Sequence, residues 1–94
     1  MKELNKILHQ PIRTQIMAHL INTQECDYTG LKNALNLSDG HMSTHMRELI
    51  NNNYVEAKKE FINNKPKTTY IPTPEGKKHF QAYINTLKEI ISLT

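Results

Sequence analysis

Apolar residues recur along this chain at helical steps of three and four, except in one stretch where β-branched and aromatic residues take over. Leu4, Ile7 and Leu8 make an i, i+3, i+4 pattern, which predicts a short helix over residues 1–9 with one sticky face. Gln10-Pro11 breaks it. Proline is tolerated in the first turn of a helix, so Pro11 opens the next one, about residues 11–22. There Ile12, Ile16 and Leu20 recur every four residues, with Met17 and Ile21 beside them. Asn22-Thr23-Gln24-Glu25 is polar and reads as a loop, and Cys26-Asp27-Tyr28 as a brief extended piece. Thr29 caps a helix over about 30–36 in which Leu31, Ala34 and Leu35 face inward, the small Ala34 allowing close helix approach. Asn36 stops that helix, because Asn tolerates the left-handed conformation, and Leu37 buries the turn.

Ser38 through Ile50 is the stretch around which the rest is organised. Ser38 is a good N-cap, and Asp39 places a carboxylate at the positive end of the helix dipole. Met42, Met46, Leu49 and Ile50 form one apolar stripe. At about 100° per residue, Gly40, Thr44, Arg47 and Asn51 point the other way, with His41 and Glu48 on a flank. A glycine, small hydroxyls, an imidazole and a guanidinium on one face suit a helix that approaches a DNA groove closely. An ordinary amphipathic surface helix carries the same stripe, so this stretch alone leaves both readings open.

Asn51-Asn52-Asn53 ends the helix, and Asn53 stands where a left-handed cap is expected. Tyr54–Ile62 and Thr68–Ile71 have strand character, and Asn63-Asn64-Lys65-Pro66-Lys67 between them is a turn cluster with two lysines. This predicts a β-hairpin with a basic tip. Of Lys58 and Lys59, one is expected merely to solvate the outer face of the hairpin. Pro72 closes the second strand and puts the last cross-strand pair in question. Thr73, Pro74 and Glu75 then restart helix, which should run to about residue 92. Phe80, Ile84, Leu87 and Ile91 lie at alternating four- and three-residue steps, with Tyr83 and Ile90 alongside. That is a short seam of coiled-coil type. It either packs back on its own domain or meets a second copy. A core of this size need not absorb so many large side chains on one helix, so the contact with a second copy is favoured, with Leu4, Ile7 and Leu8 beside it.

Composition narrows the function classes. The chain has 94 residues and 37% apolar content, which fits one domain, 1–94, with a modest core. No apolar run is long enough to span a membrane, and the N-terminal residues lack the apolar core of a signal peptide. Cys26 is the only cysteine, so no intramolecular disulfide forms, and a cytoplasmic location is expected. A redox role for Cys26 is open, although a lone cysteine near a core is more often inert. The net charge of +3 and pI near 9.1 permit a nucleic-acid partner without demanding one.

Over nearly its whole length the chain resembles the winged helix-turn-helix transcriptional regulators, most closely the small stand-alone members related to the MarR and ArsR families. The resemblance is carried by His9-Gln10-Pro11-Ile12-Arg13 with Ile16-Met17 and Leu20, and by Leu31-Lys32 and Ala34-Leu35 leading into Leu37-Ser38-Asp39-Gly40. Met42-Ser43, His45-Met46, Leu49 and Tyr54-Val55-Glu56 continue it, then Phe61, Lys65-Pro66-Lys67-Thr68, Tyr70 and Thr73-Pro74-Glu75-Gly76. Order and spacing together are specific where no single piece is. Departures are Asn53 for the usual glycine, lysines where the wing more often has arginines, and Pro72 for a core leucine. The lysines weaken any bidentate minor-groove reading, because Lys acts as a point charge.

The fold implied is mainly α with a small β-hairpin (α+β): a helix-turn-helix over about 29–52, a wing over about 54–72 and a C-terminal dimerisation helix over about 74–92. The function implied is that of a homodimeric, sequence-specific regulator on double-stranded DNA. Candidate DNA contacts are Gly40, His41, Ser43, Thr44, His45 and Arg47 on the recognition helix, with Lys65 and Lys67 on the wing. Ser43 and His45 flank the buried stripe and are as well placed for phosphate or protein as for bases; Arg47 is the strongest contact, unless a nearby Glu pairs with it. Asp39 would repel phosphate and is read as cap and dipole partner. The dimer face comprises Leu4, Ile7, Leu8, Phe80, Tyr83, Ile84, Leu87, Ile90 and Ile91. No cofactor is called for, and a small-molecule effector between the dimer helices and the core is open.

Other classes compete. His41 and His45 at i, i+4 can hold Zn²⁺ from one helix face, which would make a metal-responsive regulator, but no cysteine pair or acidic cluster joins them. A winged helix can also serve only as a protein-contact adaptor. An enzyme fits least: Ser, His and Asp occur within residues 38–45, but on one short exposed helix they cannot converge as a triad must.

Overall fold

Helix starts and stops along the first half are set by side chains that satisfy free backbone groups, and they explain where the elements fall. In the computed structural model, which describes residues 2–92, Gln10 accepts from the Arg13 amide at 2.8 Å and Pro11 opens helix α1, Pro11–Thr23. Strand β1, Cys26–Asp27, leads directly into helix α2, Tyr28–Leu35. The cap of α2 is Asp27, accepting from the Gly30 amide at 2.7 Å, two residues before the expected Thr29. Asn36 ends α2 at φ 54°, and the Leu37 amide closes the turn on the Lys32 carbonyl at 3.0 Å. Ser38 then caps helix α3, Asp39–Asn51, through the His41 amide at 3.1 Å. Asn53, at φ 61°, lets the Tyr54 amide reach back to the Leu49 carbonyl at 2.9 Å.

Strands β2, Val55–Ile62, and β3, Lys65–Pro72, form the hairpin, and β1 adds on the other side of β3, giving an antiparallel order β1-β3-β2. The turn is Asn63-Asn64 alone, both at positive φ (53° and 63°), the two-residue turn that matches strand twist. Lys65, Pro66 and Lys67, expected in the turn, are therefore strand residues. Pairing runs to Val55 opposite Pro72, so the last pair forms; the Thr73 amide, one residue on, donates to the Tyr54 carbonyl at 3.1 Å where Pro72 has no N–H to give.

Helix α4, Pro74–Ser92, starts on a tight joint. Thr73 Oγ1 accepts from the Gly76 amide at 2.8 Å and donates to the Asn53 carbonyl at 2.6 Å. A Cβ on Gly76 would stand 2.1 Å from the Tyr54 carbonyl oxygen, so only glycine allows helix and hairpin to meet this closely.

The core is Leu8, Ile16, Met17, Leu20, Leu31, Met42, Met46, Leu49 and Val55, with Tyr54, Tyr70 and Tyr83 at its rim. Several sequence expectations change here. Residues 2–9 do not form a helix; Met1 lies outside the described residues, as do residues 93–94 of the predicted domain. Asn5 Oδ1 instead accepts from the Ile7 and Leu8 amides at 2.9 and 3.1 Å, folding the segment into a turn, the local competition that Asn offers to helix. The turn drives Leu8 into the protomer's own core at 0% exposure. Tyr83, 5% exposed, shares a 2.9 Å hydrogen bond with His9 Nδ1. Leu8 and Tyr83 are thus removed from any face offered to a second copy. Ala34 is exposed and mediates no helix approach, and Ile50, at 38% exposure, lies at the edge of the α3 stripe rather than inside it.

Candidate nucleic-acid interface

Helix α3 presents its outward face between two flanks, because Met42, Met46 and Leu49 anchor the opposite side in the core. Gly40, Thr44, Arg47 and Asn51 are exposed there. Gly40 has a negative φ and open space around it: an added Cβ would meet only Ser38 Oγ, at 3.9 Å. Nothing inside the protein requires a glycine at this point. Arg47 forms no ion pair among the described residues, so the expected alternative of a surface pair with a Glu is not realised there.

On one flank a groove separates α3 from the hairpin. Arg47, Ser43 and Asn51 line it from the helix, and Lys59, Thr68, Ala57 and Tyr70 from the sheet. Side chains alternate along a strand, so Ala57, Lys59 and Phe61 share the face of β2 turned toward α3, while Lys58 and Glu60 face away. The structure thereby separates the two lysines that sequence alone could not: Lys59 joins Arg47. Its signal in the sequence was alternation with the apolar Val55 and Ala57. Lys65 and Lys67 are exposed beyond it, on the opposite sheet face, with Lys67 paired across the ladder to Glu60. Phe61, 79% exposed, stands opposite Pro66 near the tip.

The start of α3 is clipped to α2. The Tyr28 hydroxyl donates a short hydrogen bond to Asp39 Oδ1, and Lys32 Nζ lies 2.8 Å from the same oxygen. The Lys32 bond first, and the Tyr28 bond second, hold the Asp39 carboxyl below the usual carboxylate range, and the same bond to Asp39 raises the Tyr28 hydroxyl. Asp39 therefore acts as cap-turn partner and interhelix clip.

On the other flank, His45 turns back toward the protein. Its Nδ1 lies 3.4 Å from Arg13 Nη1 on α1, and its ring centroid lies 6.3 Å from that of exposed His41. Burial, then the charge of Arg13, then His41, lower its pKa, against an upward pull from Glu48. Among the described residues no group of three His, Cys, Asp or Glu side chains is arranged to hold a metal ion. Cys26 is half-buried and free; burial, then the charge of Asp27, raise its thiol pKa and so disfavour the thiolate. No helix among the described residues is long and apolar enough to cross a membrane.

Comparison with known proteins agrees with this geometry. A relative from Methanocaldococcus jannaschii, an uncharacterized protein, is 33% identical over 85 residues, covering 90% of this chain and 92% of its own. The transcriptional regulator homologue protein from Pyrococcus horikoshii OT3 superposes with TM-score 0.85 at 28% identity, covering 92% of this chain and 85% of that one. HlyU from Vibrio cholerae shares the fold with TM-score 0.67 at 24% identity, covering 82% of this chain and 79% of its own. The family model of the winged helix DNA-binding domain matches residues 12–91, and the chain belongs to that family, whose members are DNA-binding regulators rather than enzymes.

Proposed function

We propose that this protein is a sequence-specific transcriptional regulator that binds double-stranded DNA as a homodimer, with α3 in the major groove and the hairpin on flanking DNA. The observation that carries the reading is Arg47, exposed in the middle of α3, unpaired among the described residues and facing a groove whose other wall supplies Lys59. A helix set into the major groove reads base edges from its N-terminal half, which here offers Gly40, His41 and Thr44. Ser43 lies on the groove side, within reach of a phosphate. Lys65 and Lys67 add backbone attraction and salt dependence at the end of the wing rather than sequence choice.

The dimer is supported by α4. Phe80, Ile84 and Leu87 are only partly buried against their own core, and Ile90 and Ile91 extend the row toward the helix end. Leu4 and Ile7 are likewise only partly buried, and Leu4 lies beside Ala82, Tyr83 and Thr86 of α4. A two-fold pairing of these rows would present two α3 helices to one duplex.

Incubating the protein with a randomised duplex pool and sequencing what it retains tests the reading. The expected result is an inverted repeat with half-sites about one helical turn apart. Recovery of no motif, with weak retention that vanishes at moderate salt, would leave only nonspecific attraction to the backbone and refute it.

A further inference from the structure

Arg13, His41 and His45 meet on the side of α3 away from the Arg47–Lys59 groove. Arg13 Nε donates to the Ile7 carbonyl at 2.7 Å, which fixes the guanidinium beside His45. His41 stands one helical turn before His45 on α3. Three charged or titratable groups act on His45: Arg13 from α1, and His41 and Glu48 from α3. With both histidines neutral, the charges of Arg13 and Glu48 cancel. A proton gained by His45 makes the flank cationic by one charge.

We propose that this flank is a second phosphate-binding rail, in which Arg13, His41 and His45 hold the DNA backbone on the α1 side of α3 and His45 takes up a proton as it does so. The proposal rests on the DNA-binding reading above. A helix in the major groove lies between two phosphate chains. Arg47 and Lys59 face one of them; Arg13 and the two histidines stand on the flank that faces the other. In the free protein a neutral His45 accepts from Arg13. A protonated ring has two N–H donors and no acceptor, so the Arg13 contact turns repulsive. A phosphate set between guanidinium and imidazolium relieves that repulsion with charge-assisted hydrogen bonds to both.

The direction of the pH effect follows. Burial first, and the Arg13 guanidinium second, hold His45 below its ordinary range in the free protein, and a phosphate anion raises it in the complex. The extra affinity is fully present below the free-state pKa and is lost as pH rises through the bound-state pKa. One proton taken up changes affinity by at most about tenfold per pH unit.

The test is the affinity of the full chain for a retained duplex between about pH 5.5 and 7.5 at fixed ionic strength, the range in which histidine titrates. Affinity should rise as pH falls, by about three- to tenfold per unit. The double variant H41Q/H45Q should flatten that slope, and R13Q should reduce the salt slope by about one. Wild-type affinity that is flat with pH, or a slope that survives in H41Q/H45Q, overturns the rail while leaving the DNA-binding reading intact. Retention of no duplex at any pH overturns both. The wild-type profile carries the test even if a variant at Arg13 fails to fold.

Discussion

Gly76→Ala and Gly40→Ala make the same chemical change in the first turn of two helices, and the structure predicts opposite signs. At Gly76 the new Cβ would sit 2.1 Å from the Tyr54 carbonyl oxygen and 2.9 Å from its carbonyl carbon. Ordinary contact begins near 3.4 Å, so α4 must withdraw from the hairpin by about 1.3 Å. That movement strains the Thr73–Tyr54 backbone bond at 3.1 Å and the Thr73 cap at 2.8 Å. Overpacking costs about 1–3 kcal/mol. The weakened hydrogen bond and cap cost about 1 kcal/mol each at most. Alanine returns up to about 1 kcal/mol of backbone entropy. The net loss is about 2–4 kcal/mol. Urea unfolding followed by far-UV circular dichroism reads it as a lower midpoint at unchanged slope. At Gly40 the Cβ meets open space, so the same change should raise stability by about 0.5–1 kcal/mol. A Gly76→Ala midpoint equal to or above wild type would refute the close-approach argument. If Gly40→Ala is more stable and also binds duplex less well, the glycine serves the ligand rather than the fold.

Further expectations test the site and the core. Lys59→Ala should lower duplex affinity and the salt slope more than Lys58→Ala, because only Lys59 faces the α3 groove; equal effects in a salt titration would contradict the sheet-face assignment. Asp39 has a folded-state pKa below its unfolded value, so its contribution is present above about pH 4 and is lost as pH falls through the folded pKa. Asp39→Asn should therefore be less stable than wild type at pH 6, with the gap closing in acid melts; a gap that persists at the acid end would discount the Lys32–Tyr28 clip. Leu49→Ala removes a fully buried side chain and should cost about 2–5 kcal/mol, whereas Phe61→Ser at 79% exposure should stay within about 0.5 kcal/mol by the same unfolding assay. Peroxide treatment should leave duplex affinity unchanged, since burial and Asp27 disfavour the Cys26 thiolate.

The sequence by itself determined the elements whose causes are local. Ser38 and Thr73 cap their helices, Asn36 and Asn53 take the left-handed turns, Pro11 and Pro74 open helices, and the four- and three-residue spacing selects Met42, Met46 and Leu49 for the core. Each depends on neighbours within a few residues, so a single chain suffices to see it. Local signals failed where two of them competed. The spacing of Leu4, Ile7 and Leu8 favoured a helix, but the Asn5 side chain captured two amides and made a turn. Thr29 was the expected cap, but pairing of Cys26–Asp27 with Thr69–Tyr70 fixed where the strand ended, and Asp27 took the cap instead.

Tertiary structure alone decided which candidate side chains share a surface. His45 faces Arg13, thirty-two residues earlier, and no spacing rule reaches that far. Lys59 rather than Lys58 shares the groove with Arg47, because hairpin register assigns the sheet faces and a one-residue shift would exchange them. Gly76 looks like any helical glycine until the Tyr54 carbonyl is placed against it. Periodicity tells which side of an element is apolar; only the packing of one element on another tells what its polar side confronts.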